Sequence, residues 1–245
     1  MVLRMLQVNG LIKEYKDYRA VNDLSFSIGP GEIVGLIGPN GAGKTTALRC
    51  VAGILRPTQG RILINGHDLI NDQMQAKRGL AFVPEVPSLY ELLTVFEHLR
   101  FVAMCFDNLA GFDAKHEALL KKYHLWDKKD NLVATLSKGM RQKLSVACAL
   151  IHDANVFLFD EPLIGIDPAG AHELKQELLN ARAGGASILV STHLLDTAEK
   201  LCDRVLIMAR GKLLAEGTIE ELRAHFGMEG QSLEDMFLTL TNEVS

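Results

Sequence analysis

The chain has 245 residues, of which 48% are apolar and 23% charged, enough to bury the core of one large domain or of two lobes sharing one core, and too apolar for a disordered or fibrous chain. Its 26 Lys and Arg stand against 30 Asp and Glu, a net charge of −4; without a basic excess to grip a polyphosphate backbone, a dedicated nucleic-acid binder is disfavoured and no nucleic acid is expected among the partners. Cys50, Cys105, Cys148 and Cys202 make no C-x-x-C pair, so they read as buried thiols in a reducing compartment and not as a zinc ribbon or a dithiol.

Arg4, Gln7 and Asn9 interrupt the first ten positions, so a secretory signal is not expected. Apolar runs such as that from Val146 to Ile151 are far too short to span a bilayer, and any membrane connection is expected through a partner. Along the chain, Leu6 to Tyr15 and Leu24 to Ile28 alternate as antiparallel strands of a small β subdomain. Ile33 to Ile37, Val156 to Phe159 and Ile188 to Val190 are short apolar runs between amphipathic segments, the texture of a mainly parallel sheet covered by helices. Helical spacing over Thr94 to Phe106, Ala114 to His124 and Ser137 to His152 predicts an inserted helical lobe. The fold expected is α/β, with residues 1–85 and 155–226 as a core, 86–154 as the helical lobe, and 227–245 as a tail carrying a turn at Gly227 to Gly230 and a short helix from Ser232 to Leu240.

Three motifs carry chemistry. Gly38, Pro39, Asn40, Gly41, Ala42, Gly43, Lys44 and Thr45 fit G-x-x-x-x-G-K-[ST], between the apolar run ending at Ile37 and a predicted helix from Thr46 to Ala52. That strand, loop and helix context identifies a phosphate loop: its glycines let backbone N–H groups close on phosphates, Lys44 reaches the β and γ phosphates, and the Thr45 hydroxyl takes Mg2+. The run Val156 to Phe159 then delivers two acids, Asp160 and Glu161, to the carboxyl edge of the sheet. Asp160 is expected to hold Mg2+ and Glu161 to polarise an attacking water. Ser137, in Leu-Ser-Lys-Gly-Met-Arg-Gln, is placed to cap a helix whose N-terminus could meet a second phosphate.

In this order, with Asp167 in Gly-Ile-Asp-Pro and then Ser191, Thr192 and His193, the chain resembles the nucleotide-binding subunit of ABC transporters over nearly its whole length. The resemblance implies the P-loop ABC ATPase fold and ATP hydrolysis with Mg2+. It implies that Gly38 to Thr46 form the Walker A loop, Ser137 and Gly139 the signature, and Asp160 and Glu161 the Walker B pair, with Asp167 the D-loop aspartate and His193 the switch histidine. Two such subunits close head to tail in that family, so the signature serves the partner's ATP; Glu161, His193 and Lys44 are the implied catalytic residues. An aromatic near the N-terminus stacks on adenine there, and of Tyr15 and Tyr18 the former, in Lys-Glu-Tyr-Lys, matches the usual position better.

Two departures stand out. The signature reads Ser-Lys-Gly-Met where the family has Ser-Gly-Gly-Gln, keeping the serine and second glycine. Glu85, after Phe82-Val83-Pro84, replaces the family's Q-loop glutamine; its carboxylate can reach Mg2+ or a water but adds negative charge near a triphosphate. Pro84-Glu85, Leu89-Tyr90, Leu93-Thr94-Val95 and the tail from Phe226 through Leu240 are similar to bacterial ABC-2-type exporter ATPases, including those of Ecs type. This implies an integral membrane permease and a second nucleotide-binding subunit as partners, and a peripheral place on the cytoplasmic face of the membrane. The alternative is a soluble ABC-type ATPase with no permease, for instance in iron–sulfur assembly; a second alternative, a P-loop kinase, is nearly excluded by the signature and the Ser-Thr-His segment.

Overall fold

Apolar and polar residues alternate through the first thirty positions, and the chain there pleats into two long paired strands. In the computed structural model, which describes residues 5–152 and 154–242, these are β1 (Leu6–Tyr15) and β2 (Tyr18–Ile28), followed by β3 (Glu32–Ile37) and α1 (Lys44–Val51). Next come β4 (Gln59–Ile64), β5 (His67–Asp68), α2 (Gln73–Arg78) and β6 (Leu80–Val83). Three helices follow, α3 (Val95–Cys105), α4 (Leu109–Lys122) and α5 (Lys138–Ile151). The remainder is β7 (Val156–Asp160), α6 (Pro168–Ala183), β8 (Ser187–Thr192), α7 (Leu195–Leu201), β9 (Arg204–Ala209), β10 (Lys212–Gly217), α8 (Ile219–Phe226) and α9 (Leu233–Asn242).

The strands form two sheets. One, ordered β2-β1-β4-β5, is antiparallel throughout. The other, ordered β10-β9-β3-β8-β7-β6, is parallel except for β10 at its edge. The central strands of the parallel sheet are apolar on both faces because both are covered: all of β7 and β8 is buried, as sheets packed on two sides require. Val34, Leu36 and Leu158 pack toward the antiparallel sheet and α1. Ile33, Phe157 and Phe159 join the core beneath α3, α4 and α5.

Local chemistry sets the helix ends. Thr94 accepts the Glu97 N–H at 3.1 Å while Glu97 Oε2 accepts the Thr94 N–H at 2.9 Å, a reciprocal cap worth about 1 kcal/mol. Thr218 and Glu221 repeat it at the head of α8. Gly227 stops α8 in the left-handed conformation, with φ +65°, and Gly230 completes the turn expected before the tail helix. That helix runs two residues past Leu240; the last three positions of the tail lie outside the described residues, as does residue 153 in the segment expected as a helical lobe. Predicted helix starts at Thr46 and Ala114 move earlier, to Lys44 and Leu109, because Gly43 and the capping side chain of Asn108 begin each turn before the apolar periodicity does.

One expectation about the cysteines needs correction. Cys50 and Cys148 are buried, but Cys202 is only partly covered and Cys105 is exposed, since it ends α3 on the solvent side. Burial pushes the Cys148 and Cys202 thiols up to about 12, which keeps both protonated and inert at neutral pH.

Candidate active site

At the carboxyl end of β3 the chain must leave the sheet, turn, and start α1 within six residues. Close backbone packing dictates which residues can do so. A Cβ on Gly38 would run into the carbonyl oxygen of Met208, and one on Gly43, whose φ is +101°, into that of Ala20 on β2. The loop is therefore wedged between the two sheets. Lys44 folds back over it, its Nζ donating to the carbonyl oxygens of Gly38 at 2.7 Å and Pro39 at 3.2 Å.

Lys44 as a residue is buried, at 7% exposure. Burial lowers its pKa, and Glu161, Asp160 and Glu85 oppose that shift by attraction. One cation is thus attracted by three carboxylates, two of which, Glu85 and Glu161, line a cleft of about 450 Å³ with it. The cleft is lined by Asn40 through Thr46, by Glu85, Glu161 and His193, and by Tyr18, Ala20 and Ile164.

Asp160 ends β7 beneath this floor. Its Oδ1 accepts the Ser191 hydroxyl at 2.6 Å and the Thr45 hydroxyl at 3.2 Å. Among the described residues no group of three or more His, Cys, Asp and Glu side chains is placed to hold a metal. The Thr45 and Asp160 oxygens nevertheless fit Mg2+, which takes one or two protein oxygens together with substrate phosphates and water. Glu85, lining the same cleft, is a third oxygen donor nearby.

Glu161 adopts a left-handed backbone, φ +47°, which a non-glycine residue holds at a cost of about 1 to 2 kcal/mol. The turn is fixed by its N–H, which donates to the Ser191 hydroxyl at 3.1 Å and the Ser191 carbonyl at 3.2 Å. It swings the carboxylate off the strand and into the cleft, where Oε1 stands 3.0 Å from His193 Nδ1 and Oε2 accepts the His193 N–H at 3.4 Å. An ionised carboxylate only accepts, so this contact requires the proton on Nδ1 and leaves Nε2 directed elsewhere.

The structure therefore brings the phosphate loop, Glu85, Asp160, Glu161 and His193 together. It does not bring in Ser137, Gly139 or Asp167. Ser137 caps α5, accepting the Met140 N–H at 3.3 Å. Gly139 abuts the carbonyl of Gly165. Asp167 caps α6, accepting from the Gly170 N–H at 2.7 Å and from Lys143 Nζ at 3.2 Å; those bonds, the backbone one first, hold its carboxyl below the usual range. These three residues share a second surface, where α5 begins beside the loop after β7.

Of the two tyrosines weighed for the adenine, the structure places Tyr18 and not Tyr15 on the lining of the cleft. The two are cross-strand partners at the β1 to β2 turn, but Tyr18 lines the cleft, whereas the Tyr15 ring lies under Lys13 Nζ at 4.9 Å. The cause is strand order. β2 is the edge strand, and its Ala20 presses on Gly43 and Gly211, so β2 runs beside the phosphate loop and β1 lies behind it. Ala20 and Ile164 had no motif to mark them, although an alternating Tyr18 and Ala20 on one face of an edge strand was a usable signal.

A family model described as ABC transporter matches residues 21–164, a span running from β2 through the phosphate loop, signature and Asp160-Glu161 pair. The chain belongs to the ABC transporter family. This ABC-type ATPase is 38% identical over 242 residues to the ABC-type transporter ATP-binding protein EcsA of Bacillus subtilis, covering 98% of each chain. It is 38% identical over 216 residues to the SkfA peptide export ATP-binding protein SkfE of the same organism, covering 87% of this chain and 89% of that one. A solved structure described as the ATP binding subunit of an ABC transporter superposes with a TM-score of 0.93 at 38% identity, over 97% of this chain and 99% of that one. The ABC ATPase fold, ATP hydrolysis, and the role of ATP-binding subunit of a transporter follow from this membership. Among the described residues of this ABC ATPase, no helix is long and apolar enough to cross a membrane.

Proposed function

We propose that the protein powers an exporter: it binds ATP in the cleft of Lys44, Thr45, Tyr18 and Glu85, and closes head to tail on a second nucleotide-binding subunit while docked on the cytoplasmic face of an integral membrane permease. The observation that carries this reading is the convergence of one buried cation and three carboxylates on a single phosphate loop. Asn40 through Thr46 present their N–H groups to the phosphates at the head of α1, and Lys44 neutralises the charge between β and γ. Thr45 and Asp160, with Glu85 beside them, would hold Mg2+, which when bound neutralises phosphate charge. Glu161 orients a water and takes its proton; His193, held through Nδ1, offers Nε2 to the γ-phosphate. Transfer to water depends mostly on such positioning and electrostatics.

The second surface supports the paired arrangement. Ser137 and Gly139 sit at the start of a 14-residue helix, α5, and neither lines its own cleft, as expected if they serve the partner's triphosphate; Asp167 stands beside them. In this reading 1–85 with 155–226 act as the ATP-binding core, 86–154 as the lobe that carries the signature, and 227–245 as the tail. Beside Glu85, the exposed Val86, Tyr90, Leu92 and Phe101 make an apolar patch of the kind that marks a partner surface, and the name of SkfE supports export.

The test is recovery of the tagged chain from detergent-solubilised membranes of its source cells. An integral protein should copurify in stoichiometric amount and be lost from Tyr90→Ser/Leu92→Asp. Recovery without an integral partner would support the soluble ABC-type ATPase instead.

A smaller prediction concerns adenine. Tyr18→Ala should weaken ATP binding by about 1 kcal/mol, the loss of one stacking contact, roughly a fivefold rise in Kd by calorimetry. Tyr15→Ala should leave Kd within about twofold; the reverse ranking would restore Tyr15 as the stacking residue.

A further inference from the structure

Outside the cleft lies an apolar cluster that no motif predicts. Ile37, the residue before Gly38, shares one buried cluster with Ala198 of α7, Val205 and Ile207 of β9, Ile219 and Leu222 of α8, and Leu233, Met236 and Leu240 of α9. The start of the phosphate loop and the helix after His193 thus rest on the C-terminal tail.

The link to His193 is short and hydrogen-bonded. Leu194 donates its N–H to Thr192 Oγ1 at 3.0 Å, and its carbonyl accepts the N–H groups of Thr197 and Ala198 at 3.0 and 3.1 Å. The switch loop and the first turn of α7 therefore move together. Leu195 of α7 packs against the same cluster, so that turn cannot shift without disturbing the tail.

Glu199, one turn further along α7, is where the tail takes hold. Its Oε1 accepts from Arg223 Nη2 of α8 at 2.5 Å, and its Oε2 accepts the Leu233 N–H at the head of α9 at 3.3 Å. Arg223 also donates through Nε to the Gln231 carbonyl at 2.7 Å, which ties the turn between α8 and α9 to the same point. The pair is only partly exposed, 23% for Arg223 and 28% for Glu199. From the opposite side α7 is met by Lys175 Nζ of α6, at 3.4 Å from Thr197 Oγ1, a longer contact.

We propose that Glu199 is a positioning residue for ATP hydrolysis: clamped by Arg223 and the N-terminus of α9, it fixes α7 and so holds His193 against Glu161. The tail is then part of the catalytic apparatus although none of its residues lines the cleft. Its kinetic consequence rests on the ATPase reading above; the geometric consequence does not.

Two measurements on the full chain separate these. Hydrogen exchange without nucleotide should show peptides covering 192–198 exchanging about tenfold faster in Glu199→Ala, while 32–37 and 156–160 keep their protection, because local opening changes and global stability does not. Arg223→Gln, which leaves the Leu233 bond in place, should show a smaller acceleration, and Glu199→Gln should fall between parent and Glu199→Ala. With Mg-ATP, Glu199→Ala should lower kcat roughly tenfold, as expected for a displaced catalytic group, with KM within about twofold. In a His193→Ala background, Glu199→Ala should have no further effect. Exchange over 192–198 equal to the parent, while the tail itself loosens, would make the clamp a mere cover for the tail. An equal kcat loss in the His193→Ala background would show that the tail acts by some route other than His193. Acceleration over 192–198 with no turnover in any variant, parent included, would uphold the geometry and count against the ATPase reading alone.

Discussion

Lys44→Ala is expected to lose measurable Mg-ATP binding and turnover together. The side chain does two things at once: it bridges the carbonyls of Gly38 and Pro39, which shapes the loop, and it supplies the charge facing Glu161, Asp160 and Glu85. A charge-assisted hydrogen bond is worth about 1.5 to 3 kcal/mol, so losing contacts to two phosphates raises Kd by at least roughly a hundredfold. Without the ammonium the three carboxylates also repel the incoming triphosphate. Calorimetric titration and phosphate release are the measurements. Near-normal hydrolysis by Lys44→Ala would remove the phosphate loop from the mechanism. The fold itself should persist, because the loop is wedged at Gly38 against Met208 and at Gly43 against Ala20 independently of the lysine.

Glu161→Gln is expected to separate binding from chemistry. Gln keeps the size of the side chain and a carbonyl that can still accept from His193, but it cannot take a proton from water. The Ser191 bonds that hold the turn involve the backbone N–H of residue 161, so the strained conformation should survive the change. Mg-ATP should bind through Lys44, Thr45 and Asp160, and with one negative charge fewer beside the triphosphate the closed pair should be stabilised. Turnover should fall by at least roughly a hundredfold, the scale of a lost general base. Size-exclusion chromatography with and without Mg-ATP, beside a phosphate-release assay, reads both effects. An ATP-dependent dimer with almost no phosphate release supports head-to-tail closure; parent-level turnover would falsify the role of Glu161.

The same residues show how far sequence reading extends in this fold. The phosphate loop was legible because its chemistry is contiguous: the turn, the cation and the hydroxyl lie within eight consecutive positions, and their spacing is imposed by the geometry of a strand running into a helix. The parallel core was legible for a similar reason, since strands such as Val156 to Asp160, buried on both faces, must be apolar throughout. The helix start at Ser137 followed from capping chemistry and the one at Thr94 from apolar spacing, both of which are local.

What the chain order could not supply was adjacency between distant segments. Tyr15 and Tyr18 sit three residues apart at one hairpin, and it is the edge position of β2 against Gly43 that puts Tyr18 on the cleft lining. Cys105 looked like the other thiols until the end of α3 placed it at the surface. Glu161 and His193 are separated by β8, and only the register of β7 on β8, with Asp160 opposite Ser191, brings Nδ1 to 3.0 Å from the carboxylate. Glu199 and Arg223 carried no motif at all, because a clamp between α7 and the tail exists only after both have packed on β9. The order of the motifs thus carried the resemblance to the family, and spacing and local chemistry indicated the elements and the phosphate loop. Which aromatic lines the cleft, which side chains share it and what packs behind the helix after His193 were decided by tertiary packing, since each depends on contacts between segments that the sequence leaves far apart.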